Sequence, residues 1–91
     1  MIKVKVTSFF TMKELLGDGQ LMLPPDNCSA MAALHALAKK HGEKFSKQVF
    51  DPKTGQVTFY RIVVNNRQCE DLNAPLKDGD EIQLYPAMAG G

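Results

Sequence analysis

The sequence predicts an α+β domain in which a mixed sheet of four to five strands carries one main helix across one face. Three observations predict it: apolar–polar alternation through Ile2-Lys3-Val4-Lys5-Val6, one stretch of helical periodicity from Ser29 to His41, and a second alternating run around Ile82 and Leu84 near the far end. Period two marks a strand with one buried face, and apolar residues three to four apart mark a helix packed on one side. With 91 residues there is room for one domain. A chain of this size buries roughly 60–65% of its unfolded surface, enough for a single modest core.

The first strand sets the register of everything that follows. Ile2, Val4 and Val6 share one face, Lys3, Lys5 and Thr7 the other, and the same parity carries Phe9 to the polar side, away from the core. Met12 to Leu16 is short and stops at Gly17-Asp18-Gly19, a strong turn signal, so it reads as a loop or a single helical turn. Gln20 to Leu23 forms a second strand, ended by Pro24-Pro25 because proline cannot donate to a ladder. A hairpin with a long connection is expected from these two strands.

From Ser29 the period changes. Ala30, Ala33, Leu34, Leu37, Ala38 and His41 fall on one helical stripe, with Ser29 or Asn27 as N-cap, Lys39, Lys40 and His41 in the last turn, and Gly42 as the terminating residue. The alanines let this helix lie close against a sheet. Residues 43–56 are mixed and polar, and Asp51-Pro52-Lys53-Thr54-Gly55 marks a turn. Val57 to Val64, rich in aromatic and β-branched residues and almost continuously apolar, reads as a strand at the sheet centre, closed by a tight turn at Asn65-Asn66. Arg67 to Glu70 adds a short edge strand, Leu72 to Leu76 a compact loop and Lys77 to Asp80 a turn. A last strand follows, with Ile82 and Leu84 inward and Tyr85 on the outer face. Parallel pairing of the first and last strands would put both chain ends in the middle of the sheet, which is the β-grasp arrangement.

A net charge of +1 gives no global field for nucleic acid or a membrane surface. Charge is unevenly spread all the same. Residues 39–53 carry Lys39, Lys40, Lys44, Lys47 and Lys53 against Glu43 and Asp51, whereas residues 70–81 carry Glu70, Asp71, Asp78, Asp80 and Glu81 against Lys77. The acidic stretch is either a flank that steers the domain onto a basic partner or an ordinary solvated surface. Cys28 and Cys69 form no zinc or redox spacing, the first residues do not resemble a secretory leader, and no apolar run approaches the roughly 20 residues of a membrane span. A cytoplasmic protein with free thiols is the expectation. His35 and His41, six apart, cannot share one metal, and Cys28, near a helix N-terminus but with no visible base, reads as structural, as does Cys69.

After Pro86 the sequence closes on Ala87-Met88-Ala89-Gly90-Gly91. Terminal glycines stabilise no folded structure because their unfolded entropy is large. The expected division is therefore a domain over residues 1–86 and a flexible tail over 87–91. Lacking Cβ atoms, Gly90 and Gly91 can thread a narrow channel and present a carboxylate inside another protein. Phe9 and Tyr85, joined by Phe59 and Val63 where Tyr60, Ile62 and Val64 face inward, would form an aromatic docking patch on the open sheet face beside that tail. The other outcome is that residues 43–56 fold over these side chains.

Phe9-Phe10-x-x-Lys13-Glu14-Leu15-Leu16-Gly17, the Val64-Asn65 turn, Leu76-Lys77-Asp78-Gly79-Asp80-Glu81 and Tyr85-Pro86-x-x-Ala89-Gly90-Gly91 together resemble the small, sulfur-carrier subunit of molybdopterin synthase, of the MoaD/ThiS ubiquitin-like type. The resemblance runs in order along almost the whole chain. The segment 43–56 is similar to that of the longer molybdopterin-type carriers and archaeal ubiquitin-like modifiers, and thiamine-pathway carriers usually lack it. Ala87 and Met88 stand where such tails often have proline and valine.

The resemblance implies a carrier with no catalytic groups and no bound cofactor of its own. A ubiquitin-activating-enzyme-like adenylyltransferase would use MgATP to adenylate Gly91. A sulfur donor such as a cysteine desulfurase would supply the sulfur of a thiocarboxylate, and the molybdopterin synthase large subunit would receive it. Gly90 and Gly91 would be the reacting end, with Phe9, Phe59, Tyr85, Pro86, Met88 and Ala89 as partner contacts. Three roles stay open: sulfur carrier for molybdopterin or the thiamine pathway, protein modifier joined to lysines through Gly91, and plain interaction module.

Overall fold

The computed structural model describes residues 1–9, 11–17, 19–57 and 60–86, with Thr11 by its backbone alone. The elements run β1 (Ile2–Ser8), α1 (Thr11–Leu16), β2 (Gly19–Leu23), α2 (Ala30–His41), α3 (Glu43–Val49), β3 (Tyr60–Val64), β4 (Arg67–Gln68) and β5 (Glu81–Pro86). The sheet order is β2-β1-β5-β3-β4. β1 and β5 are parallel, the other neighbours antiparallel, so the first and last strands do lie side by side in the interior of the sheet.

Each local signal acts as its chemistry requires. The Ser29 side chain accepts from the Ala32 amide at 3.0 Å, capping α2. Gly42 ends that helix with φ +74° and ψ −153°, a conformation that a side chain would resist. Asn65 and Asn66 both take positive φ, +52° and +68°, as a two-residue hairpin matched to the right-handed strand twist demands. At the same end of the sheet the Lys77–Asp80 turn is stitched in place. Asp78 Oδ1 accepts the Lys3 amide at 2.7 Å, Asp80 Oδ2 accepts the Lys77 amide at 2.8 Å, and Asp80 Oδ1 accepts Asn65 Nδ2 at 2.9 Å.

The core lies between the sheet and the helices. Val4, Val6, Ile62, Ile82 and Leu84 face Ala30, Ala33, Leu34 and Leu37, all buried. Two features depart from the sequence reading. Residues 43–49 are a helix, and its Phe45 and Val49 are fully buried in the same core. Only two of its seven positions are core residues, too few to register as a periodic stripe. The centre of the sheet is β5, with β3 one place further out. Of the expected Val57–Val64 strand, Tyr60–Val64 is observed, Val57 forms an isolated bridge with Phe50, and Thr58 and Phe59 lie outside the described residues. The apolar run of β3 reflects Val63 and Val64 half-buried on opposite faces.

Candidate functional site

The face of the sheet turned away from the helices is built by the odd-numbered residues of β1, β3 and β5. Cα pairing sets Lys5 beside Glu81, Thr7 beside Gln83, Val63 beside Gln83 and Arg61 beside Tyr85. Most of this face is polar, and its centre is internally bonded. The Thr7 hydroxyl donates to Glu81 Oε2, and Gln83 Oε1 accepts the Asn66 amide at 3.0 Å, which accounts for a glutamine nearly buried at the centre of an open face.

At one end the chemistry changes. Phe9, just past β1, stacks on Tyr85 with ring centroids 4.6 Å apart and planes 14° from parallel. Strand parity alone had brought these two rings together, and both are half-buried. Pro86 follows in the last position of β5, opposite Tyr60. Val63 joins the same face one row away. The sequence reading passed over Arg61, exposed and directly across from Tyr85. The signal was available, since inward Tyr60 and Ile62 force Arg61 outward, and a guanidinium beside stacked rings is a common component of protein interfaces. Phe59, Met88, Ala89, Gly90 and Gly91 lie outside the described residues.

The alternative to an open aromatic patch was that the segment 43–56 would cover these rings. Its described part packs on the helix side instead, where Phe45 meets Phe50 edge-on at 6.5 Å and Phe50 stacks on His35 at 5.2 Å. The acidic stretch divides: Glu70 lines a cleft with Tyr60 and Arg61, the partners of Pro86 and Tyr85, whereas Asp78 and Asp80 lie away from the exit of the chain. Asp78 and Asp80 precede β5, and Pro86 ends it, five residue steps from Glu81 or about 17 Å of extended strand. Both carboxylates are occupied in holding turns, as described above.

The remaining sequence candidates have structural partners. Cys28 is buried, its thiol directed at the carbonyls of Pro25 (3.4 Å) and Leu76 (3.6 Å). The Cys69 thiol is pushed up from its ordinary pKa, chiefly by burial, with the Asp71 charge adding to the rise and a hydrogen bond to the Asp71 backbone opposing it. That direction disfavours the nucleophilic thiolate. Among the described residues no group of His, Cys, Asp and Glu is arranged to hold a metal ion, and no helix is long and apolar enough to cross a membrane.

A mixed sheet with parallel first and last strands, a helix layer on one face, and an aromatic pair beside the strand that leads to a Gly-Gly sequence together define a ubiquitin-like β-grasp domain. The chain belongs to the ThiS family, whose profile matches residues 6–91, a group of ubiquitin-like sulfur carriers. No curated protein matches the chain in sequence. Among solved structures, a Pyrococcus furiosus protein described as molybdopterin converting factor subunit 1 is similar at 29% identity and TM-score 0.78, over 97% of this chain and 100% of that one. Small archaeal modifier protein 1 of Methanosarcina acetivorans is similar at 28% identity and TM-score 0.75, over 100% and 98%. A chain in the complex of subunits 1 and 2 of the molybdopterin-converting factor of Helicobacter pylori is similar at 28% identity and TM-score 0.64, over 99% and 100%. Such complexes show relatives of this fold binding a partner subunit.

Proposed function

We propose that the chain is the sulfur-carrying subunit of a molybdopterin synthase, working in the cytoplasm, and that the carboxylate of Gly91 is its working group. The observation that carries this reading is the likeness, at 28–29% identity and over almost the whole of both chains, to subunit 1 of two molybdopterin converting factors. A carboxylate is a poor electrophile, so it needs a leaving group before sulfur can replace oxygen. A ubiquitin-activating-enzyme-like adenylyltransferase supplies one. The Gly91 carboxylate attacks the α-phosphorus of MgATP and pyrophosphate leaves. The terminal sulfur of a persulfide made by a donor such as a cysteine desulfurase then attacks the acyl carbon and AMP departs. A thiol of a partner or a cellular thiol reductant cleaves the resulting acyl disulfide, taking the donor cysteine into a disulfide and leaving the thiocarboxylate on Gly91.

The loaded end, Met88 to Gly91, enters the large subunit while Phe9, Tyr85, Pro86 and Phe59 hold the domain against it. All catalytic groups and the nucleotide belong to the partners. The test is intact mass after incubation with the activating enzyme, MgATP and a sulfur donor. The mass should rise by the difference between sulfur and oxygen, and an unchanged mass refutes the carrier.

The 28% identity to an archaeal modifier protein favours a second use of the same adenylate, an isopeptide bond from Gly91 to a lysine of another protein. Immunoblots of cells expressing a tagged chain separate the two. A ladder of larger species that vanishes on deletion of Gly91 marks conjugation, and its absence rules the modifier out.

A further inference from the structure

The two edges of the sheet differ in how they are protected. β4 is two residues long and carries Arg67, and very short, charged edges resist pairing with another chain. β2 has neither device. Its five residues, Gly19-Gln20-Leu21-Met22-Leu23, hold no charge and no proline, and its register with β1 runs through five consecutive pairs without a bulge.

Hydrogen bonds on the other side of β1 show which main-chain groups that edge leaves over. The Lys5 amide donates to the Asp80 carbonyl at 2.9 Å and the Lys3 carbonyl accepts the Gly79 amide at 2.8 Å, so Lys3 and Lys5 direct their main-chain groups toward β5. Direction alternates along a strand, which turns those of Ile2, Val4 and Val6 toward β2. Their partners Leu23, Leu21 and Gly19 face back toward β1, and the amides and carbonyls of Gln20 and Met22 are left pointing outward. No other described group bonds to them.

The side chains single out the same edge. Met1 and Met22 are the large hydrophobics exposed among the described residues, at 68% and 51%. Met22 lies in β2 beside Lys3, and Met1 precedes Ile2, the partner of Leu23. Strand parity places both on the open face. On the helix side Leu21 is half-buried and lines a cavity of about 30 Å³ with Leu37.

We infer that β2 pairs antiparallel with β2 of a second copy of this chain, about a two-fold axis at Leu21, so that the two five-stranded sheets become one. This register uses every outward group. Gln20 lies opposite Met22 of the second copy and Met22 opposite its Gln20, and each pair exchanges two hydrogen bonds. A register centred on Met22 would set Gln20 against Pro24, which has no amide. The two Leu21 residues, between the bonded pairs, come to a Cα separation of about 4.5 Å and pack leucine on leucine. Only uncharged side chains meet. The Lys3 and Lys5 pairs of the two copies are three strand spacings apart, about 14 Å, beyond the screening length of about 8 Å at physiological salt. Because β5 lies two strands in from β2, the Phe9–Tyr85 patch and the exit at Pro86 stay open in the dimer, at opposite ends of the joined sheet. The pairing does not depend on whether Gly91 carries sulfur.

Sedimentation equilibrium of the full chain tests the inference. A contact of five residues per copy is smaller than the roughly 20–30 residues a side of a standard interface, so the dimer should be weak, with a Kd of about 100 µM. Amide hydrogen exchange at Gln20 and Met22, fast in dilute solution, should slow as the chain is concentrated, with Leu21 protected throughout. Met22→Pro removes an amide that the β1 ladder does not use and half of the new bonds, so Kd should rise at least about tenfold with the urea midpoint little changed. Met22→Lys keeps the amide and alters an exposed position. It should raise Kd about threefold at low salt and less at high salt, and it decides the matter if the proline variant fails to fold.

A natural chain that remains monomeric well above that Kd overturns the inference. So does a dimer that survives both variants, or that forms while Gln20 and Met22 still exchange fast, because the contact would then lie elsewhere. In the natural chain the dimer should hold or tighten as salt rises, since only like charges flank the pairing. Dissociation by salt overturns it as well.

Discussion

The two faces of the sheet are built from the same strands and share almost no chemistry. On the helix side Val4, Val6, Ile62, Ile82 and Leu84 are nearly inaccessible to solvent. On the open side Lys5, Thr7, Glu81, Gln83 and Arg61 are polar, with Thr7 bonded to Glu81 and Gln83 to the Asn66 amide, and Phe9 stacks on Tyr85 at one end. Stability is therefore concentrated on one face, which leaves the other free to vary with its partner. An aromatic pair that contributes little to folding but is stacked and half-buried is already partly ordered, so a partner closing over it loses less side-chain entropy.

The contrast is tested hardest by a core side chain that belongs to no strand. Phe45 of α3 is fully buried and roofs the helix-side core. Phe45→Ala should cost about 3–5 kcal/mol, a large share of the total for a domain of this size. Urea unfolding measures it. A loss below about 1 kcal/mol would mean that α3 rests on the core without belonging to it, and Phe45→Leu should recover most of the difference.

The opposite behaviour is expected on the open face. Replacing Phe9 and Tyr85 together by alanine removes one stacked pair and two half-exposed rings, which should lower stability by about 1–2 kcal/mol. Affinity for the large subunit should fall further, by roughly 2 kcal/mol or more, as central aromatic contacts usually do. Calorimetric titration beside an unfolding curve compares the two. Equal losses in folding and binding would erase the distinction between the faces.

How much of this was legible in the sequence depended on how specific each local signal was. Strand parity alone carried Phe9 and Tyr85 to the same face, and Asn65-Asn66, Ser29 and Gly42 marked their turns and caps because each does something few other residues can. The α3 helix was illegible for the converse reason. It opens directly on the glycine that ends α2, and in a mostly polar segment Phe45 and Val49 supply one i, i+4 pair. The Glu43–Lys47 pair at the same spacing was the only other hint. The sheet centre was misjudged because hydrophobicity was taken as the measure of centrality. β5 lies at the centre and carries Gln83, whose polarity is satisfied by the Asn66 amide, a contact between residues 17 apart in sequence.

The smallest effect has the most informative sign. Ser8 ends β1 on the helix side, 1% exposed, and its hydroxyl is the one buried side-chain oxygen or nitrogen among the described residues without a hydrogen-bond partner. A hydroxyl withdrawn from water and left unbonded costs more than the small cavity made by deleting it. Ser8→Ala should therefore stabilise the domain by up to about 1 kcal/mol, read as a higher urea midpoint with an unchanged slope. If stability falls instead, water reaches the hydroxyl from the Phe9 end of the strand. The core would then be open where the aromatic patch begins, and the two faces would meet at Ser8 instead of being insulated there.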